Sequence, residues 1–140
     1  MVVLDSSPAV TAFVDTNVLI RHLTGDPPEQ AARATAFLGR ADALLLSDLV
    51  VAETVYVLES FYELEPARVA ELVRAMLAFP AIAVLDVDVL LRALEVYELY
   101  GVHFAEAYLV ASAETAGVEA IASFDQAIDR VPTVRRIEPS

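Results

Sequence analysis

Five short apolar runs alternate with helical patterns along almost the whole chain, and that alternation limits the architectures open to it. The runs fall at 12–14 (AFV), 43–46 (ALLL), 82–85 (IAVL), 120–122 (AIA) and 134–137 (VRRI). All but the last are uniformly apolar, as strands of a parallel sheet covered on both faces should be. Between them, residues 16–23 read as a short helix ended by Gly25 and the Pro27-Pro28 pair. The patterns at 28–40 and 66–78 open on a proline, a favoured first helical residue. Further helices are expected at 48–63, at 87–100 up to Gly101, at 103–116 up to Gly117, and as a short turn at 125–130. Such alternation predicts an α/β fold, a three-layer α/β/α sandwich around a central, mostly parallel sheet of about five strands. At 140 residues the chain is expected to be a single domain, with 1–11 an unplaced lead-in.

Position along this pattern sorts the carboxylates, of which there are 21. In open α/β folds, sites form beyond the carboxyl ends of the strands. Asp15 in "TAFVDTNVLI" directly follows the first strand, and Asp125 in "IASFDQAID" follows the fourth. Two more acids stand on helices. Counting by three and four, Glu53 in "SDLVVAETVYVL" shares a face with Leu49, Val50, Tyr56 and Val57, which places it in an apolar stripe. Glu106 in "HFAEAYLVASA" shares a face with Leu109, Val110 and Ala113. An acid in an apolar stripe neutralises or meets a cation. Simpler roles stay open: Asp15 and Asp125 can cap the helices that follow them, and Glu106 can be a first-turn acid favoured by the helix dipole. Mid-helix Glu53 has no such role.

If the four acids converge, the chain holds little to neutralise them. It carries a net charge of −12, with nine Arg, no Lys, and His22 and His103 as its two imidazoles. A hard divalent cation could do so, because all-oxygen carboxylate ligation is the pattern of Mg²⁺ or Mn²⁺. The same charge implies long-range repulsion from nucleic acid and attraction to basic partners. With 57% hydrophobic residues, some apolar surface is expected to be covered by a partner. No run is long enough for a membrane helix, and the first ten residues lack the basic region of a signal peptide. With no Cys, there are no disulfides or thiolate metal sites, and the cytoplasm is the default compartment.

The four segments "FVDTNVLI", "VVAETVYVL", "VHFAEAYLVASA" and "IASFDQAI" resemble, in order, the acidic signatures of PIN domains, and more narrowly those of the VapC-type toxins of bacterial toxin–antitoxin pairs. The resemblance runs from about residue 12 to 137. It implies a Mg²⁺- or Mn²⁺-dependent endoribonuclease in which Asp15, Glu106 and Asp125 are metal ligands and Glu53 completes the catalytic set. Thr16 and Asn17 would orient Asp15, and Ser123 stands where relatives carry a small hydroxyl residue near the metal. A homodimer and a small VapB-like antitoxin, whose tail often sets a basic side chain against the acids, are implied too. Two positions depart from the pattern. Glu106 replaces the usual Asp, moving the carboxylate outward by ~1.5 Å. His103 stands where many relatives have an acid.

By this reading a metal-activated water attacks phosphorus in line, Glu53 orients or deprotonates that water, and RNA is chosen by shape and single-stranded loops. Arg21, His22, Arg135 and Arg136 are the nearest candidates for phosphate contacts. The alternatives are a catalytically weakened, protein-binding module of the same fold and, further off, a haloacid-dehalogenase-type phosphatase. The phosphatase needs a second Asp where Asn17 stands, and a lysine. A phosphorelay receiver domain also wants a lysine.

Overall fold

The computed structural model describes residues 11–140, so the expected lead-in lies outside the described residues except for Thr11, which opens the first strand. The elements run β1 (Thr11–Phe13), α1 (Thr16–Thr24), α2 (Pro28–Arg40), β2 (Ala43–Leu45), α3 (Asp48–Ser60), α4 (Pro66–Leu77) and β3 (Ile82–Ala83). Then come α5 (Val87–Tyr100), α6 (Phe104–Ala116), β4 (Ala120–Ala122), a 3-10 turn (Gln126–Arg130) and β5 (Arg135–Ile137). Local chemistry sets the boundaries. Asp15, Ser47 and Asp86 cap α1, α3 and α5 with side-chain oxygens, and Pro28 and Pro66 open α2 and α4. Gly101 and Gly117 stop α5 and α6 in the left-handed region, at φ 67° and 71°. The helix expected at 48–63 ends at Ser60, and Glu63 then turns the chain with φ 54°.

The fold is α/β with parallel pairing throughout, but the strands do not form one five-stranded sheet. The ladder β1-β2-β3 is one sheet, and β4-β5 is a separate pair. Leu44 pairs with Ala12 on one side and Ile82 on the other, while Ile121 pairs with Arg136. Each ladder is two or three residue pairs long. β4 is Ala-Ile-Ala, whose two flanking alanines offer little cross-strand packing to recruit a further neighbour. Among the described residues no ladder joins β4 to β1.

The core is carried mainly by helices. Leu90, Ala93 and Leu94 of α5 are fully buried, as are Ala107, Val110 and Ala111 of α6, whose small residues let the two helices approach closely. A polar clamp reinforces this pair. Arg92 grips Glu114 through two parallel hydrogen bonds of 2.8 and 2.9 Å, and the Thr133 hydroxyl donates to the same carboxylate. Arg92 holds Glu114 below the ordinary carboxylate range, with help from Thr133 and against the opposing effect of burial. Glu114 therefore ties α5, α6 and the approach to β5.

His22 joins three segments. Its Nδ1 shares a 2.8 Å hydrogen bond with the Thr35 hydroxyl of α2, and its ring meets Phe79 edge-on at 5.4 Å. Burial pushes its pKa below the ordinary 6.5. Between pH 6.5 and that lowered value the unfolded chain binds more protons than the folded one, so acidification costs stability there. The melting temperature is expected to fall between pH 7.5 and pH 5.5, and His22→Gln to flatten that slope. An unchanged slope in the variant would remove His22 as its source.

Candidate functional site

The end of β1 builds the first part of the site. Val14 continues the parallel pairing through its N–H to the Leu45 carbonyl at 3.0 Å, and the chain then leaves the sheet at Asp15. Asp15 is exposed and caps α1, accepting from the Thr16 N–H at 2.8 Å. Thr16 is buried, and its hydroxyl donates to Glu53 Oε2 at 3.0 Å across 37 positions of sequence. Asp15 and Glu53 line the same open cavity of about 410 Å³, together with Asn17, Arg21 and Asp26. Arg21 is anchored there, donating from Nη1 to the Asn17 carbonyl at 3.1 Å and from Nε to Gln30 Oε1.

Glu53 does not sit in an apolar stripe. The buried side of α3 is Val51, Thr54, Val55 and Leu58, while Leu49 and Tyr56 are exposed. Glu53 is exposed on the cavity wall. The helix is apolar at almost every position, so its period does not select a phase. Thr54 decides it, because its hydroxyl donates to the Val50 carbonyl at 2.7 Å and can be buried without any tertiary partner.

The other two acids lie elsewhere. Glu106 stands half-buried in the first turn of α6, with Oε2 buried and no hydrogen-bond partner. It lines a separate cavity of about 320 Å³ with His103, Tyr56 and Glu59. On α3 and its C-terminal cap, Glu53, Val57 and Phe61 face the first cavity, and Ala52, Val55, Tyr56 and Glu59 face the second. At 100° per residue these flanks are roughly 150° apart, so α3 stands between Glu53 and Glu106. Asp125 lines neither cavity and caps the 3-10 turn, accepting from the Ala127 N–H at 2.9 Å. The Ser123 hydroxyl accepts from the Asp125 N–H at 2.9 Å. Arg136 is engaged by Asp129 at 3.1 Å and Glu138 at 2.8 Å, and Arg135 is exposed on β5.

The all-oxygen donor chemistry of these four residues suits Mg²⁺ or Mn²⁺. Their arrangement does not: among the described residues, no three His, Cys, Asp or Glu side chains are grouped so as to hold a metal ion. The residues as placed do not fit a metal centre, and no chemical step is assigned through one.

Two features escape sequence reasoning. Phe61 and Tyr62 wall the acid cavity, and their only signal is a pair of adjacent aromatics in "ESFYE", read as helix. Asp48, in the first turn of α3, accepts a hydrogen bond from the Tyr108 hydroxyl of α6 while its Oδ1 is buried and unpartnered. That contact, with burial and the nearby charges of Asp48 and Asp86, pushes the Tyr108 pKa up. It spans 60 residues and leaves no local trace in the sequence.

These features define an α/β protein with a carboxylate-lined cavity beyond the carboxyl end of its first strand. The chain belongs to the PIN domain family, whose model matches residues 12–134. Among solved structures it is similar to a chain of the VapBC2 complex from Rickettsia felis bound to a DNA fragment from their promoter. The identity is 12% and the TM-score 0.38, over 91% of this chain and 98% of that one. No curated protein matches the chain. Among the described residues, no helix is long and apolar enough to cross a membrane.

Proposed function

We propose that this chain is an endoribonuclease, the toxin of a VapBC-type pair, acting in the cytoplasm as a homodimer restrained by a VapB-like antitoxin. Its dependence on Mg²⁺ or Mn²⁺ is proposed on the family resemblance alone, since the acids as placed do not assemble a metal centre among the described residues. Membership of the PIN domain family supports a nuclease. The four acidic segments, in VapC order, support the narrower reading. The observation that carries it is the junction of Asp15 and Glu53 at Thr16, whose backbone N–H donates to Asp15 and whose buried hydroxyl donates to Glu53. A hydroxyl buried at a strand end and directed onto a distant carboxylate fixes where that carboxylate sits.

The chemistry assigned here is confined to side chains that share the cavity. Glu53, oriented by Thr16, is suited to take the proton of a water directed at phosphorus. Asp15, on the same wall, holds that water through its free lone pairs. Arg21, held by Asn17 and Gln30, is the nearby donor for a non-bridging phosphate oxygen. Glu106 and Asp125 are proposed for the same reaction on the family resemblance alone.

Purified protein is expected to cleave single-stranded RNA in Mn²⁺, and excess chelator to stop cleavage. Persistent intact RNA in both Mg²⁺ and Mn²⁺ would remove the nuclease reading. The ungrouped carboxylates favour one second reading, a binding module of the same fold that engages a protein partner without cleaving RNA. It predicts a tight complex with the antitoxin and no cleavage under any metal condition.

A further inference from the structure

The acid cavity has an aromatic wall that the chemistry above does not use. Phe61 follows α3 as its C-terminal cap and is 74% exposed. A single exposed ring is ordinary on a protein surface; the way this one is held is not. It packs edge-on against Tyr62 with ring centres 5.0 Å apart at 64°. The Tyr62 hydroxyl in turn donates to Asp26 Oδ2 at 3.1 Å, which roots the pair in the turn after α1. Both rings line the cavity that holds Asp15, Glu53 and Arg21.

We propose that Phe61 is the stacking platform for an unpaired base of a single-stranded RNA, with the adjoining phosphate at Arg21 and the chain thereby laid across Asp15 and Glu53. The proposal rests on the nuclease reading above and names the substrate form it would take. Charge explains why stacking is needed. The chain carries −12 overall, and three carboxylates share this cavity with one guanidinium, so phosphate attraction is a poor source of affinity. Stacking on an uncharged ring is indifferent to that field and available to every base. It also selects for single strands, since bases inside a duplex are already stacked. The cavity, at about 410 Å³, is within the range of small-ligand pockets.

The chain contains no Trp, so Phe61→Trp introduces a single indole whose emission reports on stacking. The variant is titrated, with and without Mn²⁺, with a cleavage-resistant 2′-O-methyl RNA hexamer, with the corresponding duplex, and with a short oligoarginine peptide. Quenching by the single strand is expected, and quenching by the duplex only at much higher concentration. Phe61→Ala is expected to weaken hexamer binding roughly tenfold and to raise KM similarly without changing kcat, and Phe61→Tyr to restore both. Equal hexamer binding by wild type and Phe61→Ala overturns the proposal. Quenching by the peptide alone overturns it too, in favour of a basic side chain held by the ring and the carboxylates. The two readings fail separately. Cleavage with no dependence on Phe61 sinks the stacking site and spares the nuclease. Phe61-dependent binding of RNA that is never cut does the reverse.

Discussion

Asp15→Asn is expected to reduce RNA cleavage by on the order of 100-fold or more while moving the melting temperature by only about 1–2 °C. Asp15 has two jobs in the structure, and the substitution separates them. As the residue before α1 it accepts from the Thr16 N–H at 2.8 Å, and an asparagine carbonyl accepts the same bond. As a cavity wall it presents a negative charge beside Glu53, and the amide removes that charge at nearly constant shape. Asp15→Ala should lose both, adding about 1 kcal/mol of lost cap to the loss of cleavage. Rates on a fluorogenic single-stranded RNA, paired with thermal melts of the three proteins, separate the outcomes. If Asp15→Asn cleaves as fast as wild type, Asp15 is a helix cap and nothing more.

Much of the fold was legible because it is written locally. The apolar runs at or overlapping β1, β2 and β4, the opening prolines of α2 and α4, and the closing glycines of α5 and α6 each act within a few residues of where they stand. The sheet was not legible in the same way. Three apolar residues announce a strand but not which neighbour it binds, and β4 pairs with β5 without joining β1. In the site, Asp15 could be read from its place after a strand. The Thr16 hydroxyl reaching Glu53, and Tyr108 reaching Asp48, are tertiary contacts that no spacing encodes. The resemblance to PIN domains implies Glu106 and Asp125 as partners of Asp15, whereas α3 separates Glu106 from the acid pair and Asp125 serves the 3-10 turn.

The phase of α3 gives the second large prediction, because the expected stripe buries Leu49 and the observed one exposes it while burying Leu58. Leu58 is fully buried, whereas Leu49 is 77% exposed. Both lie on the same helix, and both substitutions to Ala carry the same change in helix propensity, so burial alone distinguishes them. Leu58→Ala should cost about 2–5 kcal/mol, a large share of the roughly 5–15 kcal/mol that holds a domain folded. Leu49→Ala should stay within about 0.5 kcal/mol of wild type. Urea unfolding midpoints of the two variants decide the matter, and a larger loss at Leu49 would reverse the helix. The consequence reaches the site. Leu49 and Glu53 are four residues apart and share one flank of α3, so a tolerant Leu49 is what an open, water-facing Glu53 requires. A costly Leu49 would bury Glu53 with it and leave the Thr16 hydroxyl holding a carboxylate that no substrate could reach.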